Sequence, residues 1–267
     1  MNFRLQYELG GQEMLAQERL DRIADYLKLS QSATVKELSQ EFGVSEVTIR
    51  KDLNELESKG LIEKVFGGAI WLGPDQLIRT EIKPDVKQDT RQEDKARLVE
   101  EVLENISLGD SLFLDNGTTN RLLVAKCRQY YDVLTIITCD LTIALEATQA
   151  PNYRVILLAG ELSNLSKTSR DFAAVDRLRS YRVDTAIMGC DSFSKEGVYT
   201  TSNEKAALKS SALEIANHRI LLATGEKSRR RSLLRYAPMT DFDKLYTSQD
   251  ADLDGLHDIS HLEIKIC

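Results

Sequence analysis

The stretch Val44–Gly60, VSEVTIRKDLNELESKG, constrains the fold of this chain most, because it has the marks of a single amphipathic helix. Ser45 is a favourable N-cap, since its hydroxyl can accept a hydrogen bond from a free amide of the first turn, and Gly60 favours termination. Apolar residues recur at helical spacing and predict one buried stripe. The stripe consists of Ile49, Leu53 and Leu56.

The opposite face of this predicted helix is polar and basic, and its side chains cluster in the N-terminal half. That half is the part that a helix-turn-helix inserts into the major groove, where such side chains reach phosphates and base edges. The sequence therefore predicts that this helix contacts DNA. The predicted contacts are Ser45, Thr48, Arg50, Lys51 and Asn54.

The flanking segments complete a helix-turn-helix over about residues 33–52. Val35–Phe42 is a short helix opened by Thr34, and Gly43 turns the chain directly into the next helix. Upstream, Arg19–Leu29 has apolar residues at helical spacing and predicts a third helix that covers the core.

Two short extended runs, Leu61–Phe66 and Ala69–Leu72, follow around the turn Gly67-Gly68. They predict a hairpin wing that lies against the DNA backbone, with Lys64 near a phosphate.

The charge of this region argues against DNA binding. Residues 1–73 hold 9 Lys and Arg against 12 Asp and Glu, a net charge of −3, so the usual basic footprint is missing. A helical hairpin of another kind can also imitate a helix-turn-helix. Phosphate affinity would have to come from a few local cations, added up over two or more subunits. These cations are Arg50, Lys51, Lys59 and Lys64.

The length of 267 residues, with 42% hydrophobic and 29% charged residues, allows one small and one medium domain. We expect an N-terminal arm at 1–16, a winged helix-turn-helix domain at 17–72, a linker at 73–86 that holds two of the four prolines, and an effector domain at 87–267. No apolar run approaches the ~20 residues of a membrane helix, and no signal peptide is evident, which predicts a cytoplasmic protein without membrane contact.

The cysteines and histidines show no metal-ligand spacing. We expect buried free thiols at Cys127, Cys139, Cys190 and Cys267, and neither a metal nor a cofactor.

From Asp110 onward, short apolar runs alternate with helical segments, which predicts a mostly parallel sheet covered on both faces. The predicted strands are Ser111–Leu114, Val133–Thr138, Arg154–Leu158, Asp184–Met188, Arg219–Ala223, Lys244–Thr247 and Leu262–Ile266. The predicted helices are Thr119–Arg128, Leu141–Ala147, Asp171–Arg179 and Glu204–Ala216. A further helix over Gln88–Ile106 is interpreted as a solvated lead into the second domain rather than a dimerisation helix.

Ligands of such sheets bind at the carboxyl ends of the strands. There, Asp115-Asn116-Gly117-Thr118-Thr119 offers backbone amides and hydroxyls that favour an anion such as phosphate, although an Asn-Gly pair is often only a turn. Asp191, Glu204 and Lys227 could converge on the same polyhydroxylated anion. The basic run Lys227–Arg231 is either a solvated loop or a phosphate-facing rim. No catalytic triad, Walker A motif or dinucleotide fingerprint is present.

In these motifs the chain resembles the DeoR family of bacterial transcription regulators from about Gln17 onward. The motifs are VSEVTIRKDLNELESKG and FGGA in the head, and DNGTT, GCDSF, TSNEKAALK and TGEK in the second domain. The resemblance implies a homodimer or homotetramer that binds double-stranded DNA operators of sugar and polyol operons. It also implies control by a phosphorylated sugar held in a domain similar to ribose-5-phosphate isomerase.

The resemblance places the reading helix on Ser45–Asn54. It places the phosphate loop on Asp115, Gly117, Thr118 and Thr119, and the rest of the effector pocket on Asp191, Glu204 and Lys227. The family often has asparagine where Cys139 stands, glycine where Ser192 stands and aspartate near Thr224.

The resulting interpretation is a DNA-binding regulator, a repressor rather than an activator, without enzymatic activity. Two alternatives stay open. One is a sugar-phosphate isomerase whose helical head mediates oligomerisation, against which the missing acid at Thr224 argues. The other is an architectural DNA binder without a ligand.

Overall fold

The computed structural model describes residues 16–58, 61–65, 67–71, 77–78, 91–163, 166–169 and 171–267. The predicted arm lies outside these residues except for Ala16, and the predicted helix-terminating Gly60 lies outside them too. The head begins with three helices: α1 (Ala16–Ser30), α2 (Val35–Phe42) and α3 (Glu46–Ser58).

The turn between α2 and α3 follows from local chemistry. Thr34 accepts a hydrogen bond from the Glu37 amide at 3.1 Å, and the Glu37 carboxylate accepts one from the Thr34 amide at 2.9 Å, which forms a capping box. Gly43 ends α2 in the left-handed conformation with φ 65°. The Thr48 amide then donates to the Ser45 hydroxyl at 3.2 Å, so Ser45 caps α3 as predicted.

A three-stranded antiparallel sheet completes the head. It contains β1 (Ser32–Thr34), β2 (Ile62–Val65) and β3 (Gly68–Trp71) in the order β1-β3-β2. The hairpin of β2 and β3 confirms the predicted wing, but β1 was not predicted, because a three-residue strand carries too little pattern. A Cβ at Gly68 would lie 2.3 Å from the Ala33 carbonyl oxygen, so the close approach of β1 requires glycine there.

The head has its own hydrophobic core. Ile49, Leu53 and Leu56 are buried in it as the helical spacing predicts, against apolar residues of α1 and the wing. Arg19 of α1 also forms a bidentate ion pair with Asp52 of α3, at 2.6 and 3.0 Å, and so fixes the outer helix to the helix predicted to read DNA.

The predicted linker contains one described element, the two-residue strand β4 (Leu77–Ile78). It pairs in parallel with β12 (Arg231–Ser232), a strand far along the chain. The linker is therefore joined to the second half of the chain by backbone hydrogen bonds, which the sequence did not indicate.

The second half of the chain alternates strands and helices. Its helices are α4 (Gln92–Val102), α5 (Thr118–Tyr130), α6 (Leu141–Ala147), α7 (Phe172–Arg179) and α8 (Asn203–Glu214). Its remaining strands are β5 (Ser111–Leu114), β6 (Thr135–Thr138), β7 (Arg154–Leu157), β8 (Val183–Met188), β9 (Ser192–Ser194), β10 (Gly197–Thr200), β11 (Ala216–Leu222), β13 (Leu234–Ala237), β14 (Lys244–Thr247) and β15 (Glu263–Ile266).

Seven of these strands form one parallel sheet in the order β15-β14-β11-β8-β5-β6-β7. The strand order reverses between β5 and β8, so the crossover connections leave these two strands toward opposite faces of the sheet. In such folds the crevice at the carboxyl ends of these two strands is the usual ligand site.

Two apolar layers cover the sheet. Leu112 and Leu114 of β5 face α4, α5 and α6, whereas Phe113 faces α7 and α8, as the alternation of side chains along a strand requires. The apolar side of α4 is buried in the first layer, so this helix is part of the second domain's core rather than a solvated lead into it.

The structure corrects two further expectations. The predicted helix Glu204–Ala216 is too long, because Ala216 already pairs with Val183 and so begins β11. A second antiparallel sheet, β13-β10-β9, was not predicted. Its short strands carry little periodicity, and β10 and β13 are distant in sequence.

Candidate functional site

The outward face of α3 carries the predicted DNA-contacting side chains. Ser45, Arg50, Lys51 and Asn54 are exposed and Thr48 is half-buried, so all five lie on the surface opposite the head core. Exposed Val47 lies on the same helix, where an apolar group can contact a thymine methyl group.

Two of the cations on this surface have acidic neighbours. Arg50 donates to Glu46 at 2.9 Å, and Lys64 of the wing donates to Asn54 while lying 3.6 Å from the Glu57 carboxylate. These contacts are exposed and exchange readily for phosphate oxygens. The Lys64 contact places the wing directly beside α3, so the two predicted DNA-binding elements form one surface. Lys59 lies outside the described residues.

The second candidate site lies at the switch point of the parallel sheet, after β5. Gly117 has φ 139° and occupies the N-cap of α5 without a capping side chain, so the first turn of α5 opens toward the carboxyl edge of the sheet. Buried Asn120 donates to the Asp115 and Ile187 carbonyl oxygens at 2.8 and 2.9 Å and fixes the loop to β5 and β8. Thr118 and Thr119 are half-buried in this turn.

Asp140, at the end of β6, supports the same loop. Its carboxylate caps α6 through the Thr142 amide at 2.8 Å and accepts a hydrogen bond from the Gly117 amide at 3.3 Å. Burial raises the pKa of Asp140, and the hydrogen bonds from these amides oppose that shift.

Asp115 is the most buried acid of the candidate site, with a side chain 1% exposed. Its Oδ2 atom accepts a hydrogen bond from the Gly189 amide at 2.8 Å and forms an ion pair with Lys209 of α8, whose side chain is 5% exposed. Lys209 also donates to the Gly189 carbonyl oxygen at 3.1 Å and lies 5.3 Å from the centroid of the Tyr236 ring.

A narrow cleft lies between this loop and α8. It leaves about 10 Å³, the room of a single water molecule. Two of the predicted effector residues, Asp115 and Glu204, line it. The remaining lining residues are Asn116, Cys139, Thr168, Ser169, Lys205, Leu208 and Lys209.

The other predicted effector residues lie around the cleft rather than in its lining. Asp191 accepts a hydrogen bond from the Thr200 hydroxyl at 3.1 Å. Lys227 stands in a short 3-10 helix, Gly225–Arg229, after β11. Burial raises the pKa of the Cys190 thiol to about 11, and the charge of Lys227 opposes that shift.

The interpretation of the sequence missed Lys205 and Lys209, although a signal for them exists. Lys205, Leu208, Lys209 and Ala212 follow the spacing of a buried helix face, and all four are buried. Lysines at such positions must meet an acid, a carbonyl oxygen or a ligand, because an isolated buried charge is costly.

Glu226 connects the candidate site to the start of α4. Its carboxylate lies 3.3 Å from Arg91, which opens α4, and 3.7 Å from Arg230. Burial raises the pKa of Glu226, but the charges of Arg230, Lys227 and Arg91 outweigh it, so the net pKa is below the ordinary range. Arg91 also lies 2.9 Å from Asp250 and holds a left-handed conformation with φ 51°.

The thiols show no sign of chemistry. Burial raises the pKa of Cys127 and of Cys139 to about 12, so both stay protonated at neutral pH. Cys190 is buried as predicted, whereas Cys267 is only half-buried. Within the described ranges, no cluster of three His, Cys, Asp or Glu residues could hold a metal, and no helix is long and apolar enough to cross a membrane.

Comparison with protein families identifies both halves of the chain. Residues 19–74 match the DeoR-like helix-turn-helix domain, and residues 90–249 match the DeoR C-terminal sensor domain. The chain belongs to the DeoR family. The resemblance seen in the motifs is therefore confirmed, as is the predicted fold class of a winged helix-turn-helix followed by a parallel α/β sheet. We refer to the second half of this DeoR-family chain as the sensor domain.

Three relatives are similar to this DeoR-family protein along nearly the whole length of both chains. The HTH-type transcriptional regulator YulB of Bacillus subtilis is 29% identical over 95% of this chain and 96% of its own. The glycerol-3-phosphate regulon repressor of Escherichia coli is 27% identical over 94% of this chain and 98% of its own. The lactose phosphotransferase system repressor of Lactococcus lactis is 26% identical over 92% of this chain and 96% of its own.

Among solved structures, ribose 5-phosphate isomerase A of Methanocaldococcus jannaschii is similar to this DeoR-family chain over 50% of the chain and 52% of its own. The two share 15% sequence identity, with a TM-score of 0.36.

Proposed function

We propose that this protein is a repressor of a carbohydrate or polyol operon that binds its operator through α3 and the wing, and that a phosphorylated sugar or polyol controls it. The observation that carries the proposal is the pairing of an exposed, cation-bearing helix-turn-helix with a cleft at the switch point of a parallel sheet. The names of relatives, which include repressors of glycerol-3-phosphate and lactose systems, support the class of operon.

DNA binding rests on the surface formed by α3 and β2. Arg50, Lys51 and Lys64 supply cations, and Ser45, Thr48 and Asn54 supply hydrogen-bonding groups for phosphates or base edges. Because the net charge of residues 1–73 is −3, one head offers few phosphate contacts. We therefore propose that the protein acts as a symmetric dimer or tetramer on a palindromic or repeated site, in the cytoplasm where the DNA is. Sedimentation would then show no monomer at concentrations where the chain binds operator.

Effector binding rests on the loop Asp115–Thr119, together with Asp191, Glu204 and Lys227. The start of α5 is electropositive and offers backbone amides, which suits a phosphate, and the carboxylates suit hydroxyls. Lys205, which lines the cleft, adds positive charge to the same region. The described cleft is too small for a sugar phosphate, so binding must widen it, and the effector therefore favours a more open state.

Two contacts link the segment that holds Lys227 to the residues that follow the head. The 3-10 helix that holds Lys227 also holds Glu226, which contacts Arg91, and it leads directly into β12, which pairs with β4. A movement of this segment on effector binding would shift both β4, in the linker, and Arg91, at the start of the sensor domain. Effector and operator would then favour different arrangements of the heads, and each would change the affinity for the other by the same factor.

We propose that the effector is bound and not converted. Isomerisation needs positioned acids and bases, whereas the Asp115 carboxylate is held in an ion pair with Lys209 and a hydrogen bond from Gly189. In an isomerase assay on ribose 5-phosphate, this protein should show no turnover. It should be tested at about ten times the concentration at which a known isomerase, assayed separately, gives measurable turnover. Measurable turnover would favour the enzyme alternative instead.

The test of the whole proposal is a thermal-shift screen of the full chain against sugar and polyol phosphates, followed by calorimetry and a gel shift on DNA selected in vitro by the wild-type chain. The compound that binds tightest should alter DNA affinity. Lys227→Ala should weaken its binding by ~1.5–3 kcal/mol, as for one charge-assisted hydrogen bond, and leave DNA affinity without effector nearly unchanged. Tight binding of the unphosphorylated sugar, with equal affinity in Lys227→Ala, would contradict the phosphate site.

A further inference from the structure

The two carboxylate oxygens of Asp115 have unequal surroundings. Oδ2 accepts from the Gly189 amide and from the Lys209 ammonium group. Oδ1 is fully buried and accepts no hydrogen bond from any described residue. A buried carboxylate oxygen without a donor costs folding free energy, so a hydrogen-bond donor brought to Oδ1 would be stabilising.

Lys209 is held from several directions at once. Besides Asp115 it contacts the Gly189 carbonyl oxygen, and it packs against the Tyr236 ring, whose hydroxyl donates to the same carbonyl oxygen at 2.9 Å. These contacts direct the ammonium group to the base of the cleft. Its charge is balanced by Asp115, so Lys209 orients this carboxylate rather than serving as a phosphate ligand.

A carboxylate paired with an ammonium group only accepts hydrogen bonds. The group that meets Oδ1 must therefore be a donor. A hydroxyl satisfies this requirement, whereas a carbonyl oxygen at the same place would face a carboxylate oxygen with no proton between them.

We propose that Asp115 Oδ1 accepts a hydrogen bond from one hydroxyl of the effector, with Lys209 as the positioning residue, so that the cleft selects alditol phosphates or ring-form sugar phosphates over open-chain ketose phosphates. The inference deepens the proposed function and rests on it. The ligand class follows from the donor that Oδ1 requires and from the second carboxylate of the cleft, Glu204, which also suits hydroxyl groups.

The test uses matched pairs of probes that differ at one carbon, measured by calorimetry on the full chain. The pairs are glycerol 3-phosphate with dihydroxyacetone phosphate, and ribitol 5-phosphate with ribulose 5-phosphate, because neither keto compound can close into a furanose ring. In the pair that binds tightest, the hydroxyl compound should bind about 10- to 100-fold more tightly than the keto compound, the range for one hydrogen bond to a charged group.

Variants then assign this selectivity to residues. In Asp115→Asn the ratio should fall to within about threefold or invert, because the amide can donate to a carbonyl oxygen. Lys209→Met should also reduce the ratio, since the Asp115 carboxylate loses the ammonium group that holds Oδ2 and so positions Oδ1. If Lys209 had a merely structural role, Lys209→Met would weaken the binding of both members of a pair equally.

Asp184→Asn is the matched control. Asp184 accepts hydrogen bonds from Ser111 at the opposite end of the sheet. The ratio of hydroxyl to keto affinity in this variant should equal that of wild type.

The wild-type measurement tests both the inference and the proposed function, even if a variant fails to fold. If a phosphorylated probe binds and its keto partner binds equally well, this inference is wrong and the proposed function stands. If hydroxyl selectivity appears equally for unphosphorylated alditols, the inference stands and the phosphate site is wrong. If no probe binds at all, both are overturned.

Discussion

Arg50, on the outward face of α3, already has an acidic partner. Arg50 is paired with Glu46 one turn earlier, and both side chains are about half exposed. An exposed pair of this kind contributes little to stability, so Arg50 can exchange its partner for a phosphate at small cost. Arg50 and Lys64 of the head are thus held in weak intramolecular contacts with Glu46 and Glu57. These contacts partly neutralise the two cations and so limit nonspecific attraction to DNA.

Arg50→Ala and Lys51→Ala should each weaken binding to selected DNA by ~1–3 kcal/mol without unfolding the head. The measurement is a gel shift in parallel with thermal denaturation. Lys28→Ala, an exposed lysine on α1, is the control and should bind like wild type. If the Arg50 and Lys51 double variant retards DNA as well as wild type does, α3 is not the reading helix.

Asp184 should give the sensor domain a measurable acid sensitivity. Hydrogen bonds from the Ser111 hydroxyl and amide hold its pKa below the ordinary range. A lowered pKa in the folded state stabilises the protein above the unfolded-chain value of ~3.9, and this stabilisation is lost as pH falls through the folded value. Asp184→Asn should therefore lower Tm at pH 7, and its difference from wild type should shrink below about pH 4. A difference independent of pH would exclude a charge effect.

Individual elements differ in how far local sequence determines them. The helices Val35–Phe42 and Leu141–Ala147 begin and end where predicted, because each follows a capping residue, Thr34 and Asp140, whose side chain accepts from the first turn. The strands Ser111–Leu114 and Lys244–Thr247 also match, since apolar runs bounded by polar residues mark buried parallel strands.

Elements that depend on distant partners were not predictable. The sheet β13-β10-β9 forms from strands of three or four residues, and β4 gains its identity only from pairing with β12. Of the residues that line the cleft, Asp115 and Glu204 were named from the sequence, whereas Lys205 and Lys209 were not, because lysine usually lies at the surface. Effector binding by the loop after β5, Asp191, Glu204 and Lys227 stays a prediction.

The capping box of α2 allows a direct test of how far one capping residue stabilises a single helix. Thr34→Ala removes the acceptor for the Glu37 amide and should destabilise the head by ~1 kcal/mol, whereas Thr34→Ser keeps the oxygen and should lose much less. Urea denaturation followed by the fluorescence of Trp71, which lies in the head core, reports this change. Equal losses in the two variants would point to the methyl group rather than to the cap.

Arg91 is the first described residue after the linker and stands at the start of the sensor domain. This residue combines an unfavourable left-handed backbone with ion pairs to Glu226 and Asp250. Such a conformation persists only where surrounding contacts maintain it, and it often marks a position that changes with function.

Arg91→Ala should leave DNA affinity without effector within about twofold of wild type and remove most of the effector response, which for allosteric coupling is typically 5- to 150-fold. Arg91→Gly relieves the backbone strain but also removes the charge. A similar loss in both variants would therefore assign the coupling to the ion pairs. Arg128→Ala is the control, since it breaks the ion pair with Glu146 inside the sensor domain. A full effector response in Arg91→Ala would place the coupling elsewhere.

The parallel pairing of β4 with β12 has a consequence for evolution. Leu77 and Ile78 are held against Arg231 and Ser232 by main-chain hydrogen bonds, which every residue except proline can form. Selection on this contact therefore acts on backbone shape and segment length rather than on side-chain identity. Related chains could drift freely in composition here and keep the connection, while a proline or a one-residue deletion would sever it. A working junction can thus lie in the part of the chain that looks least informative.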